Sequence, residues 1–81
     1  MLPNQNLSKK DAKWLLNDFE KITKGSVFSK NVHSYTRAIN LIRGTDVKNP
    51  GCSCEYKTHS QIAISLFNQH KSEIENIANA I

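Results

Sequence analysis

Apolar residues recur every three to four positions over most of the chain, with one interruption near its middle. In the first stretch the apolar positions share one helical face; they are Ala12, Leu15, Leu16, Phe19 and Ile22. Ser8 precedes this stretch and is a good N-cap, while Gly25 follows it and is a typical helix stop. The pattern predicts a helix over about 9–24.

Two further stretches show the same period. The second set of apolar positions is Phe28, Val32, Tyr35, Ala38, Ile39 and Ile42. It predicts a helix over about 30–43, ended by Gly44. The third set is Ile62, Ala63, Leu66, Phe67, Ile74, Ile77, Ala78 and Ile81. Thr58 and Gln61 form a capping box before it, and together these signals predict a helix over about 59–80.

The three stretches predict an all-α fold, a small three-helix domain over residues 1–81 with a long loop between helices two and three. A core of this size gives only about 3–5 kcal/mol of stability, so such domains often depend on a metal, a disulfide or a partner. The polar segment 1–6 is expected to be a frayed tail or a docking arm. The apolar stripe reaching Ile81 suggests that this end packs inside the fold or against a partner.

The third stretch contains a polar segment at residues 68–71. His70 falls in the centre of the apolar stripe, which favours a buried histidine with a hydrogen-bond partner. Ser72 and Glu75 form a second capping box, so a break near residues 68–71 stays open. A broken helix would faintly resemble the first half of a DNA-binding helix-turn-helix, but Phe67 stands where that turn usually has glycine.

The interruption in the periodic pattern carries the residues with the most distinctive chemistry. Cys52 and Cys54 lie in the loop over residues 44–57, and His59 follows five residues after Cys54. These three side chains are candidate zinc ligands, although structural zinc sites usually have two residues between cysteines. The favoured interpretation is a loop with two reduced thiols, because a disulfide between them would close a very small ring. A cysteine nucleophile activated by His59 is the least favoured alternative.

The chain has a formal net charge of +4, and its basic residues lie mainly in the first two thirds. Six of them are candidate contacts to phosphate: Lys30, His33, Arg37, Arg43, Lys48 and Lys57. They support an alternative function as a small basic regulator that binds nucleic acid weakly, with or without zinc. Lysines on the wet side of a helix are at least as good an explanation of the same pattern.

Trp14 lies outside the apolar stripe of the first predicted helix. Its direction differs from the stripe by about 140°, which places it beside Lys10 and Lys21. Tryptophan is enriched at binding hot spots, so these three residues are candidate partner-binding residues. The alternative is that neighbouring helices partly bury Trp14.

No catalytic signature or phosphate-binding glycine loop is present, so we expect a non-enzymatic protein. We expect it to act by protein–protein contact, as an adaptor, accessory or assembly component, with a phage structural role as the specific hypothesis. The partner would be another protein or a second copy of the chain. No cofactor is expected apart from the zinc just discussed. No apolar run is long enough for a membrane span, so a cytoplasmic or virion-associated location is expected.

Overall fold

The computed structural model describes residues 2–24 and 32–80, and within these ranges it contains three helices and no strand. The first helix has three consecutive segments: α1 (Lys9–Trp14), a π-helical turn (Leu15–Phe19) and α2 (Glu20–Thr23). The second is α3 (Val32–Arg43). The third opens with a 3₁₀ turn (Ser53–Glu55) and continues as α4 (Tyr56–Ala78). The all-α prediction is confirmed, whereas the predicted positions of Gly25, Lys30 and Ile81 lie outside the described residues.

The first helix begins where its cap predicted. The Asp11 backbone N–H donates to the Ser8 hydroxyl over 3.1 Å, which satisfies one of the amides left free at a helix start. The π-helical turn follows, and there the Glu20 N–H donates to the Leu15 carbonyl, five residues back. Leu15 and Phe19 at its two ends are fully buried, so the widened turn lies against the core.

Phe19 is the aromatic centre of the core. Its ring meets Tyr35 of α3 edge-on at 5.8 Å and Phe67 of α4 edge-on at 5.5 Å, measured between centroids. Edge-to-face contacts of this kind stabilise beyond the apolar area that they bury. One side chain therefore joins all three helices.

The segment before the first helix docks onto the fold. Leu2 and Leu7 are buried in the core cluster. The Asn4 backbone N–H donates to the Ile42 carbonyl over 3.0 Å, and its side-chain amide donates to the Leu41 carbonyl over 2.7 Å. Residues 2–7 thus form the docking arm that was one of two expectations, and they cover carbonyls at the end of α3.

The third helix differs from its prediction at its start and in its middle. It begins at Tyr56, so Thr58 lies inside the helix and does not cap it. It also continues through residues 68–71 without interruption, as the predicted helix over 59–80 does. The break that the sequence left open is absent, and with it the turn that the helix-turn-helix alternative requires. His70 is buried, and its Nδ1 lies 3.4 Å from a Glu73 carboxylate oxygen. The prediction of a buried, hydrogen-bonded histidine is confirmed.

No helix in the described ranges combines the length and the apolar character that crossing a bilayer requires.

Candidate contact surface

Trp14 is half-buried, and α3 provides its cover. The Arg37 guanidinium carbon lies 4.2 Å from the centroid of the Trp14 ring, which is cation–π stacking geometry. Trp14 also approaches Phe19, with 5.9 Å between ring centroids. The indole therefore connects the aromatic core to the surface.

An ion pair holds the stacked arginine. The Arg37 guanidinium donates to an Asp11 carboxylate oxygen over 3.2 Å, which links α3 to the first turn of α1. Both partners are partly exposed, so the pair itself contributes only about 0.2–1 kcal/mol. Its main effect is on geometry, because contacts with both Asp11 and the ring hold the guanidinium over Trp14.

Two open cavities meet at Arg37. The first has a volume of about 440 Å³ and is lined by Lys10, Lys13, Trp14, Asn17, Asp18 and Arg37. The second has a volume of about 520 Å³ and is lined by His33, Thr36, Arg37, Asn40, Leu41, Val47, Lys48 and Asn49. We call these two cavities together, with the Trp14–Arg37 stack between them, the α1–α3 surface.

Asn40 fixes the loop that forms one wall of the second cavity. Its side-chain carbonyl accepts from the Val47 N–H over 2.8 Å and from the Thr45 hydroxyl over 2.9 Å, while its amide donates to the Val47 carbonyl over 3.0 Å. Further along, the Asn49 amide lies 2.6 Å from the His33 ring nitrogen Nδ1. Side-chain hydrogen bonds thus order this part of the loop.

The structure brings together some of the predicted contact residues and separates others. Lys10 and Trp14 line the first cavity, and His33, Arg37 and Lys48 line the second. Arg43 is six residues after Arg37, so their directions round α3 differ by about 120°, and Arg43 lines a separate cavity beside α4. Lys21 and Lys57 are exposed but line none of these cavities, and Lys30 lies outside the described residues.

The cysteine loop differs from its expected state. Cys52 and Cys54 form a disulfide, whereas the sequence favoured two free thiols. Sulfurs joined to each other are not the thiolates that zinc needs, and the described residues contain no group of three candidate ligands placed to hold a metal ion. Cys54 and His59 nevertheless line one cavity, of about 410 Å³.

His59 connects this cavity to α3. Its Nε2 lies 2.7 Å from the Thr36 hydroxyl, at hydrogen-bond distance, so this nitrogen does not face the cysteines as a metal ligand would. Burial lowers the pKa of His59 below its usual value, and the nearby Glu55 carboxylate opposes that shift only in part. The imidazole is therefore neutral at neutral pH.

Two features of the surface were missed in the sequence. The stacking of Arg37 on Trp14 depends on how α1 and α3 approach each other, which no pattern within one helix reports. The role of Asn40 had one weak signal, since asparagine side chains often hydrogen-bond to loop backbone that follows a helix.

Comparison with protein-family models, curated proteins and solved structures finds no match for this chain. Function is therefore inferred from its own residues.

Proposed function

We propose that the protein is a small non-enzymatic interaction module that binds another protein, or a second copy of itself, through the α1–α3 surface. An adaptor, accessory or assembly role, including a phage structural one, fits such a module. The observation that carries the proposal is the Trp14–Arg37 stack, exposed between two open cavities. Tryptophan and arginine are the residues most enriched at binding hot spots, especially where neighbouring elements hold them in place.

The charges around the stack favour a protein partner with scattered acidic groups. Lys10, Lys13 and Arg37 line the first cavity together with Asp18, and Asp11 lies beside Arg37. A mixture of signs suits a protein surface of complementary pattern. A phosphate backbone is negative throughout, so the two carboxylates repel it.

A nucleic-acid-binding function is the second candidate, because one observation favours it. His33, Arg37 and Lys48 converge on the second cavity, and its lining contains no acidic residue. Such a site would bind phosphates with little preference for sequence. We rank it second because Arg43 and Lys57, two of the other predicted contacts, lie elsewhere on the molecule.

Trp14 allows a direct test, since it is the only tryptophan in the chain. Titration with a synthetic acidic peptide that contains one aromatic residue should change its fluorescence saturably. Arg37→Ala should weaken the peptide's affinity by about fivefold or more, whereas Lys21→Ala, an exposed lysine outside the cavities, should change it by less than about twofold. Equal effects of the two substitutions would contradict the proposal, as would a peptide that leaves the fluorescence unchanged.

A single-stranded oligonucleotide provides the competing arm of the same titration. If nucleic acid is the ligand, affinity should fall steeply with salt, and Arg37→Glu with Lys48→Glu should weaken binding to all sequences alike. Binding that is tighter than the peptide's and persists at physiological salt would reverse the ranking of the two functions. Sedimentation at several protein concentrations then shows whether the partner is a second copy of the chain. In that case the mass should rise with concentration in the unsubstituted protein and less so in Arg37→Ala.

A further inference from the structure

The Cys52–Cys54 disulfide lies on the surface of the protein, away from the core. Both cysteines are exposed, and they flank one residue at the end of the loop that leads into α4. A disulfide that closes so short a segment restricts the unfolded chain very little, so it contributes little to folding. Exposed disulfides without a stabilising role are the ones that exchange readily with thiols.

The two sulfurs have different surroundings. Cys52 is the N-cap of the 3₁₀ turn that continues into α4, and its sulfur accepts a hydrogen bond from the Cys54 N–H over 3.4 Å. This donor, together with the start of a long helix, stabilises negative charge on Cys52. Cys54 is the second residue of the turn, two positions after Cys52. It lines the open cavity formed with Pro50, Glu55, Thr58, His59 and Ile62.

From this asymmetry we infer that the protein has a thiol–disulfide exchange site, at which a small thiol of the glutathione class attacks Cys54 and displaces Cys52. The better-stabilised thiolate is the faster leaving group, and Cys52 has the donor that stabilises it. The cavity of about 410 Å³ beside Cys54 is large enough for a small molecule. The proposed contact function neither requires this activity nor supplies it.

The exchange balances in two steps. In the first, the attacking thiolate forms a bond to the Cys54 sulfur, the Cys52–Cys54 bond breaks, and Cys52 leaves with the electron pair as a thiolate. In the second, another thiolate attacks the sulfur of the bound small molecule, which releases the oxidised small disulfide and leaves Cys54 as a thiolate. Two thiols are oxidised, the protein disulfide is reduced, and the protons of the two thiols pass through solvent to Cys52 and Cys54.

The test follows the intermediate of the first step in the full-length protein. The purified protein is oxidised with excess glutathione disulfide, mixed briefly with reduced glutathione, quenched with acid, alkylated and analysed by peptide mass spectrometry. We expect the glutathione adduct on Cys54 to exceed that on Cys52 by at least about tenfold. The same reaction in denaturing guanidinium chloride should lose this preference, because the 3₁₀ turn and the cavity no longer exist.

Three outcomes would overturn the inference. The first is equal labelling of the two cysteines in the folded protein, and the second is a preference that persists after denaturation. The third is that oxidation fails to close the disulfide, so that each cysteine takes up glutathione or stays free.

A parallel experiment with a reduced dithiol protein in place of glutathione tests whether the attacking thiol belongs to a protein. Faster reduction of the disulfide by that protein at equal thiol concentration would assign the site to a protein thiol.

Discussion

Replacing Phe19 with leucine should lower the free energy of unfolding by about 1–2 kcal/mol. Leucine keeps most of the buried volume, so the cavity term that makes Phe→Ala cost about 3–5 kcal/mol is small. What leucine loses is the ring, which makes two edge-to-face contacts, with Tyr35 and Phe67. Each such contact contributes about 0.5–1.5 kcal/mol beyond its buried area, and the new aliphatic contacts restore part of the loss.

The magnitude can be checked by urea unfolding followed both by circular dichroism and by Trp14 fluorescence. The transition midpoint should fall while the denaturant slope stays constant, and the melting temperature should fall by roughly 5–15 °C. Val47→Ala is the matched control, since Val47 is 44% exposed and its truncation should cost less than about 0.5 kcal/mol. If Phe19→Leu costs no more than this control, or if the two probes disagree, the aromatic cluster is not the centre of the core.

Three further predictions concern the loop and its flanks. Gly44→Ala should cost about 1 kcal/mol in a urea titration, because Gly44 has a φ of +72° and an added Cβ would lie 3.3 Å from the Asn4 side chain; an unchanged midpoint would contradict this. His59 has a lowered pKa in the folded state, so the folded protein binds fewer protons than the unfolded chain, and stability should decline as the pH falls below about 6.5. His59→Gln should flatten that decline, and a decline that His59→Gln leaves unchanged would contradict this assignment. A chelator should change the unfolding free energy by less than about 0.5 kcal/mol in oxidised and reduced protein alike. A fall of many degrees in the melting temperature on adding the chelator would instead establish a zinc site.

The helices could be predicted from the sequence because each carries its own periodic apolar face. The start of the third helix could not be predicted, since the 3₁₀ turn before it contains no aliphatic or aromatic residue. That turn is also capped by a cysteine sulfur rather than by a usual capping side chain. Thr58 and Gln61 satisfied the rule for a capping box, but they are the third and sixth residues of α4 and so lie inside the helix. Local signals compete at a helix start, and here the helix begins directly after the 3₁₀ turn, before the capping box.

The candidate site was harder to predict for a different reason. Arg37 was predicted only as a candidate phosphate contact, on the side of α3 that faces away from its apolar residues. In the folded protein the first helix brings Trp14 and Asp11 to that side, so the same residue becomes the centre of a surface. Contacts between helices distant in the chain cannot be read from the period of either one.

Polar residues of the second helix contact both candidate sites, although its apolar face is buried. Its apolar residues pack into the core, while Arg37 stacks on the first helix and the adjacent Thr36 contacts His59 of the third. Asn40, one turn later, holds the loop that leads towards the cysteines. A rigid helix positions side chains more accurately than a loop does. Two neighbouring residues of α3 thus contact both sites: Arg37 belongs to the Trp14–Arg37 stack, and Thr36 contacts His59, which lines the cavity beside Cys54. The two sites are nevertheless proposed to bind chemically different ligands.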